Sequence, residues 1–374
     1  MAHVKDLWTI PNPSGRGRIK GPRHGSGRRW LASWVEAGGA RRSKTFDTKD
    51  AAVAHLEQVG HEQRAGTYVS PASARATFVD VAERWYAEQV HQRASTLQVI
   101  RRRLDRTILP AFTGYRWDEI SRATVQATIT KWTRDLAPST VRVAYVYLAG
   151  ICQLAVDERR IATTPCTRIN LPTVAHELVV PLTVAQVQAL TDSAGAEHRG
   201  MFVLGAASGM RSSEMRGLTW DRVRPVADGG AVVRVDRQLL RASTSMAPSW
   251  GPPKTISSVR NVAIGPATVA ALGEPGEGLV FRSRRGGAVV SSGAWTIWRE
   301  AAKRAGVESS GWHDLRHFHA SLLIAGGASP VAVAHRLGHK DATETLQTYA
   351  HLWPDDDERM RDATDGLVLA TRSS

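Results

Sequence analysis

Apolar residues recur at helical spacing over most of the chain and alternate in a few short stretches. RRWLASWVEAGG (28–39) alternates bulky and polar positions and breaks at Gly38 and Gly39, the pattern of a short hairpin. DTKDAAVAHLEQV (47–59) follows with apolar residues at helical spacing, which predicts a small β-plus-helix module. GTYVSPASAR (66–75), rich in Gly, Pro, Ser and Ala, reads as a linker. Helical periodicity resumes in FVDVAERWYAEQV (78–90), STLQVIRRRLDRTILPAF (95–112), RATVQATITKWTRDL (122–136) and STVRVAYVYLAGICQLAVDERR (139–160). Ser95 and Ser139 are the expected N-caps of the second and fourth of these. In the second, Leu97, Ile100 and Leu104 form an apolar stripe opposite Arg101, Arg102, Arg103 and Arg106.

INLPTVAHELVVPLT (169–183) carries two prolines and no helical period, and marks a second boundary. Beyond it, helices are expected over 185–194, 199–218, 292–305 and 313–326, and strands in AVVRVDR (231–237) and RNVAIG (260–265). Strands flanked by helices without regular βαβ alternation predict an α+β arrangement. A chain of 374 residues also exceeds what one hydrophobic core usually organises. The expected architecture is therefore multidomain. It comprises a small basic β+α N-terminal module (1–65), an all-α domain (76–168) and a mixed α+β, mainly helical domain (178–374).

Charge sharpens this picture. Lys+Arg number 49 against 35 Asp+Glu, giving +14 and a pI near 10.4, so a polyanion is the natural partner. GRGRIKGPRHGSGRR (15–29) and ARRSKTF (40–46) concentrate the excess near the N-terminus. Arg28, Arg29, Arg41 and Arg42 there, with Arg101, Arg102 and Arg142 in the helical region, are candidates to track phosphates; a solvated face is the competing reading for the run at 101–106. The two cysteines, Cys152 and Cys166, are expected to be free thiols in a reducing compartment. No apolar h-region follows the N-terminus, and no apolar run is read as membrane-spanning, so a cytoplasmic location without membrane partners is expected.

Four segments of the last domain carry groups suited to phosphate chemistry. ASGMRSSEMRGLTW (207–220) sets Arg211 and Glu214 three apart at a helix start just after Gly209, so the carboxylate can orient the guanidinium. GPPKTISSVRNVAI (251–264) holds Lys254 at a turn between two expected strands. HDLRHFH (313–319) puts His313 and Arg316 on one helical face, and LGHKDATETLQTYAHL (337–352) brings His339 and Tyr349. Phosphoryl transfer needs a nucleophile, cationic donors on the non-bridging oxygens and a proton source for the leaving group. Arginine's planar fork suits the second task, and histidine and lysine can move protons. A tyrosine hydroxyl can be the nucleophile. The i,i+4 pairs His313/His317 and His335/His339 suggest zinc as an alternative, but neither encloses a glutamate general base and each is interrupted by an arginine. No metal or other cofactor is expected.

In this order, Gly209-x-Arg211-x-x-Glu214, the lysine of PPKT, His313-x-x-Arg316, Leu337-Gly338-His339 and Tyr349 resemble the motifs of the tyrosine recombinases, specifically phage-type integrases. GRRWLASW…GGARRSKTFDTKDAA in the first sixty residues is similar to their arm-binding modules. The resemblance implies an arm-type DNA-binding module, a helical core-binding domain and a mixed α+β catalytic domain in that order. It implies that Tyr349 attacks a DNA phosphodiester, giving a 3′-phosphotyrosyl link and a free 5′-hydroxyl, with religation needing no ATP. Arg211 and Arg316 would stabilise the phosphorane, Lys254 would protonate the leaving oxygen, His313 would act as base or orient the phosphate, and His339 would bond a non-bridging oxygen. Glu214 is read as structural support, and His317, His319, His335 and His351 as helix-face or packing residues.

The implied partners are double-stranded DNA attachment sites, further copies of the chain in a tetramer on synapsed DNA, and a directionality factor or DNA-bending protein, in the nucleoid of a bacterial host. DERMRDATDGLVLA (357–370) is expected to form a terminal helix, which in relatives packs on a neighbouring subunit. Competing readings are a type IB topoisomerase-like relaxer, a host chromosome-resolving recombinase, which typically lacks an arm-binding module, and an inactive DNA-binding regulator on the same fold, which would have lost site residues.

Overall fold

The computed structural model describes residues 2–353 except 37, 71, 72, 74, 75, 176, 177, 241–248, 254, 309 and 310, together with 361 and 364. The chain divides into two units, Met1–Ala175 and His176–Ser374. The expected terminal helix over 357–370 lies outside the described residues apart from 361 and 364.

The first unit begins with an antiparallel sheet. Its hairpin, Trp30–Val35 with Arg41–Phe46, pairs Trp30 with Phe46 and Trp34 with Arg42, and His3–Asp6 lines the other edge. The helix Lys49–Ala65 packs on this sheet, capped by Thr48 and ended by left-handed Gly66. Ala32, Trp34, Ala52 and Val59 form its buried centre.

The helical part of the unit has a separate core, in which Phe78 stacks on Phe112 with centroids 4.7 Å apart and Trp117 is buried beside them. Two expected caps are corrected. The helix Ala94–Arg103 is capped at Arg93, two residues before the serine, because Ala94 is itself a strong helix former. The helix Pro138–Asp157 starts from Ala137, since Pro138 has its φ set for a first turn and no N–H to satisfy. Within 95–112 the chain widens into a π-turn at Leu104–Ile108 just ahead of Pro110, whose ring removes one i→i−4 donor. By length and composition Pro138–Asp157 is apolar enough to cross a bilayer, contrary to the reading of the sequence. One face of it, including Val141, Leu148 and Ile151, is buried in this core.

The second unit is mixed. Helices Val184–Ser193, Ala196–Ser208 and Ser291–Ala305 pack around an antiparallel sheet in the order Arg260–Ile264, Ala231–Val235, Val223–Pro225. Phe202, Trp298 and Trp312 meet with centroids 4.6 to 5.3 Å apart, each pair contributing ~0.5–1.5 kcal/mol beyond its buried area. Trp312 also donates to Ala294 O at 2.8 Å, which anchors the start of the next helix, His313–Ala325. That helix lies close against Ala196–Ser208 because Gly205 leaves room: a Cβ there would sit 2.8 Å from Leu315 Cδ1.

The helix expected over 199–218 is two. Gly209 takes a left-handed conformation (φ 62°) and ends Ala196–Ser208, then Arg211 returns to extended backbone and caps the short helix Ser212–Arg216. Gly209→Ala is expected to destabilise the protein by ~1–3 kcal/mol, since its Cβ would combine an unfavourable φ with contacts of 2.7 Å to His319 and 2.8 Å to Leu337. A thermal melt of the variant superimposing on the parent's would show that the backbone there is free to relax.

Candidate active site

The break at Gly209 places Arg211 at a helix N-terminus with its first turn closed by Glu214. The Arg211 N–H donates to Glu214 Oε2 at 3.0 Å and its Nη1 to Oε1 at 3.0 Å. Arg211 Nη1 also reaches Ser258 Oγ (3.1 Å), and Nη2 reaches Gly338 O (3.3 Å). Glu214 is buried rather than on a surface helix, because it serves a second cation: Arg260 Nη2 donates to Glu214 Oε2 at 3.0 Å, with the two side chains 1% and 2% exposed. Burial alone would raise the Glu214 carboxyl, but Arg260 and then Arg211 hold it below its ordinary value.

Arg316, one turn into His313–Ala325, is 2% exposed. Its Nη1 donates to Gly209 O at 2.8 Å, while its buried Nη2 has no hydrogen-bond partner among the described residues. Burial, then Arg211 and Arg260, bring its pKa down to about 10. A guanidinium held by one arm, with the other donor dry and unsatisfied, is suited to an oxyanion.

His339 follows the left-handed Gly338 and is turned inward, with Nδ1 and Thr345 Oγ1 2.7 Å apart; His335, four residues earlier, is exposed. The two therefore do not converge. His313 stays open to solvent, yet the protein packed around it, then His317, Arg316 and Arg211, lowers it to about 4. Burial, then Arg316 and Arg211, lowers His339 to about 3. Both imidazoles are neutral at neutral pH.

Tyr349 closes the helix Ala342–Tyr349, which starts at the Asp341 cap, and is 1% exposed among Ala320, Ile324, Val333 and Leu337. Burial raises its hydroxyl to about 12, against the pull of Arg316. Tyr349 Oη lies 2.8 Å from Nδ1 of His317, the residue read from sequence as packing, because His339 is held by Thr345.

Arg211, Glu214, His313, Arg316, His339 and Tyr349 thus lie in one connected cluster, while Lys254 is outside the described residues. The other surplus histidines are engaged structurally: His319 with Ala206 O (2.9 Å) and Arg336, and His351 with Val179 O (2.8 Å). Arg260, Ser258 and His317 were not singled out. Arg260 had a signal in the alternation of its strand, where it shares the inward parity of Val262 and Ile264.

The basic candidates of the first unit are mostly engaged. Arg29 grips Asp6 (2.9 Å) and lies over Trp30, Arg42 pairs with Glu36 (3.0 Å), and Arg28 faces Asp47 (3.6 Å). Arg101 is held by Glu83 and Asp105, and Arg142 Nε donates to Pro172 O (2.8 Å). Arg41 and Arg102 are exposed.

The phage integrase family profile matches residues 181–355, a span that contains every member of this cluster. Over residues 181–355 the chain is thus similar to the phage integrase family, and its relatives include tyrosine recombinases and a prophage integrase. Among its relatives, a XerC-like tyrosine recombinase of Caldanaerobacter subterraneus is 23% identical over 249 residues, 58% of this chain and 63% of that protein. The prophage integrase IntR of Escherichia coli is 26% identical over 252 residues, 58% and 59% of the two chains. The chain thus spans about three fifths of the length of these relatives. The Tn1549 transposon integrase in complex with a circular intermediate DNA is similar in fold, with a TM-score of 0.66 at 18% identity over 78% of this chain and 99% of that one. A lambda integrase tetramer bound to a Holliday junction aligns with a TM-score of 0.57 at 17% identity, over 87% and 93%.

Proposed function

We propose that the chain is a site-specific DNA recombinase, a phage or mobile-element integrase that breaks and rejoins strands through a 3′-phosphotyrosyl intermediate. Tyr349 is the nucleophile, Arg211 and Arg316 hold the non-bridging oxygens, and His339 adds a hydrogen bond to one of them. His313, open to solvent at the site, orients the phosphate, and Lys254 protonates the leaving 5′ oxygen. Glu214 holds Arg211 in place. The reaction exchanges one phosphodiester for a phosphotyrosyl ester and back, so it needs neither ATP nor, given two guanidiniums, a metal.

The observation that carries this reading is Arg316: a buried guanidinium with Nη1 on Gly209 O and Nη2 without a partner among the described residues, within electrostatic reach of the Tyr349 hydroxyl. A buried unsatisfied cation is costly unless it awaits an anion. The basic N-terminal module (1–65) is assigned to arm-type sites and the helical domain (76–168) to the core site, consistent with the surplus of +14. The lambda integrase tetramer on a Holliday junction supports a tetramer of this chain on paired double-stranded DNA sites. A bacterial nucleoid location and an accessory bending or directionality protein complete the proposal.

The test uses a pool of nicked duplexes randomised across the core, in which loss of the short cleaved product traps the covalent adduct. Captured protein is expected to carry a nucleotide on the peptide containing Tyr349, read by mass spectrometry. No adduct, or a link to another residue, removes the proposal.

A further inference from the structure

The resemblance offers His313 either as the base for the Tyr349 proton or as a group that orients the phosphate, and the geometry separates these two tasks. Among the described contacts, the Tyr349 hydroxyl meets His317 Nδ1 at 2.8 Å, whereas His339 Nδ1 is engaged by Thr345 Oγ1 and His313 touches the His317 ring rather than the tyrosine. The His313 and His317 rings stand perpendicular with centroids 4.6 Å apart, and His317 and Tyr349 are 5.6 Å apart. His317 is thereby wedged between two rings, with one nitrogen aimed at the reacting oxygen.

We infer that His317 is a catalytic residue, the proton acceptor for Tyr349 during cleavage and the donor that restores its hydroxyl on rejoining. The inference rests on the function proposed above. With its proton on Nε2, His317 accepts the phenolic hydrogen bond through Nδ1. As Oη bonds to phosphorus and the P–O5′ bond breaks, the phenolic proton passes to Nδ1 and the 5′ oxygen takes a proton from Lys254. On rejoining, an incoming 5′-hydroxyl loses its proton to Lys254 and bonds to phosphorus, the P–Oη bond breaks, and the imidazolium returns its proton to Oη. Protons and bonds balance without a further reactant.

The surroundings favour this exchange. Tyr349 is 1% exposed, so bulk water has little access to its hydroxyl. Its hydroxyl is raised to about 12 while burial, then Arg316, lowers His317 against the opposing pull of Asp314. Full transfer ahead of attack is therefore uphill, and the proton moves in step with P–O bond formation. The titratable and charged groups around the pair are His313, Asp314 and Arg316 on the same helix, Arg211 at the head of Ser212–Arg216, and Glu344 on the tyrosine's helix. A lowered His317 is neutral, and competent as a base, down to below its ordinary 6.5.

The experiment measures single-turnover cleavage, from about pH 6 to about pH 9.5, of a nicked duplex recovered from the randomised pool by the parental protein. His317→Ala and His317→Gln are compared with the parent and with Tyr349→Phe, and binding of the same duplex is recorded for each. Both His317 variants are expected to bind the duplex and cut ~10²–10⁴-fold more slowly. Their rates should climb about tenfold per pH unit as hydroxide replaces the lost base, where the parental rate is level. Added imidazole should speed the alanine variant and not the glutamine variant. A His317→Gln protein cutting at the parental rate overturns the inference; so do slowed variants that keep the parental pH profile, since that is the behaviour of a packing residue. An adduct persisting in Tyr349→Phe, or absent from the parent, overturns the recombinase reading and this inference with it.

Discussion

Tyr349→Phe is expected to form no covalent adduct with DNA and to bind the same duplex as the parent does. The substitution removes one oxygen and leaves the ring, which packs among Ala320, Ile324, Val333 and Leu337, in place. The lost contact is a single hydrogen bond to His317, so stability should change by no more than ~0.5–1.5 kcal/mol. Chemistry, by contrast, has no substitute, because among the described residues no other hydroxyl is hydrogen-bonded into the His317 and Arg316 end of the cluster. The measurement pairs adduct formation on the captured duplex with a urea titration. A variant inactive because it is unfolded would show in the second and would invalidate the packing argument.

Glu214→Ala should cost the most stability, about 3–5 kcal/mol, because it leaves Arg260 buried and unpaired in addition to freeing Arg211. Glu214→Gln should cost less, since an amide oxygen can still accept from the Arg211 N–H. Combining Glu214→Gln with Arg260→Met should be less damaging than the sum of the two, as both remove the same ion pair. The sign with pH follows from the depressed carboxyl. Its contribution is complete above the ordinary value of 4.5 and is lost as pH falls through the lower folded value. Urea midpoints of parent and Glu214→Gln should therefore converge on acidification below about 4.5. Midpoints that stay equally far apart would place the effect elsewhere.

Much of this site was legible because its chemistry is written in short local patterns. Gly209, Arg211 and Glu214 form a helix-start signature whose carboxylate closes the first turn, and the structure builds it that way. The helix over 199–218 was read as one because apolar spacing runs through the glycine; a left-handed turn leaves no mark on periodicity. Arg260 belongs to no motif, yet its parity in RNVAIG points inward with Val262 and Ile264, where a cation needs a carboxylate. His317 lies outside the motifs that carry the resemblance, and which histidine meets the tyrosine depends on how two helices are packed, with the contact spanning 32 positions of chain. The strand His3–Asp6 escaped for a related reason: four residues carry too little alternation to read, and its partner begins at Trp30.

Gly209 and Gly338, left-handed helix ends beside the site, have a consequence for when the site comes into being. The carbonyl of Gly209 holds Arg316 and that of Gly338 holds Arg211, ties that span 107 and 127 positions of chain. Contacts so distant in sequence carry a loop-closure cost that local helices do not, and are completed late in folding. Each arginine is thus aimed by the far segment's backbone, and a chain with its helices formed but its halves undocked has the residues without the alignment. Under the proposed function, a nascent or partly unfolded copy would lack the aligned arginines needed to cut a strand that it has no means to rejoin.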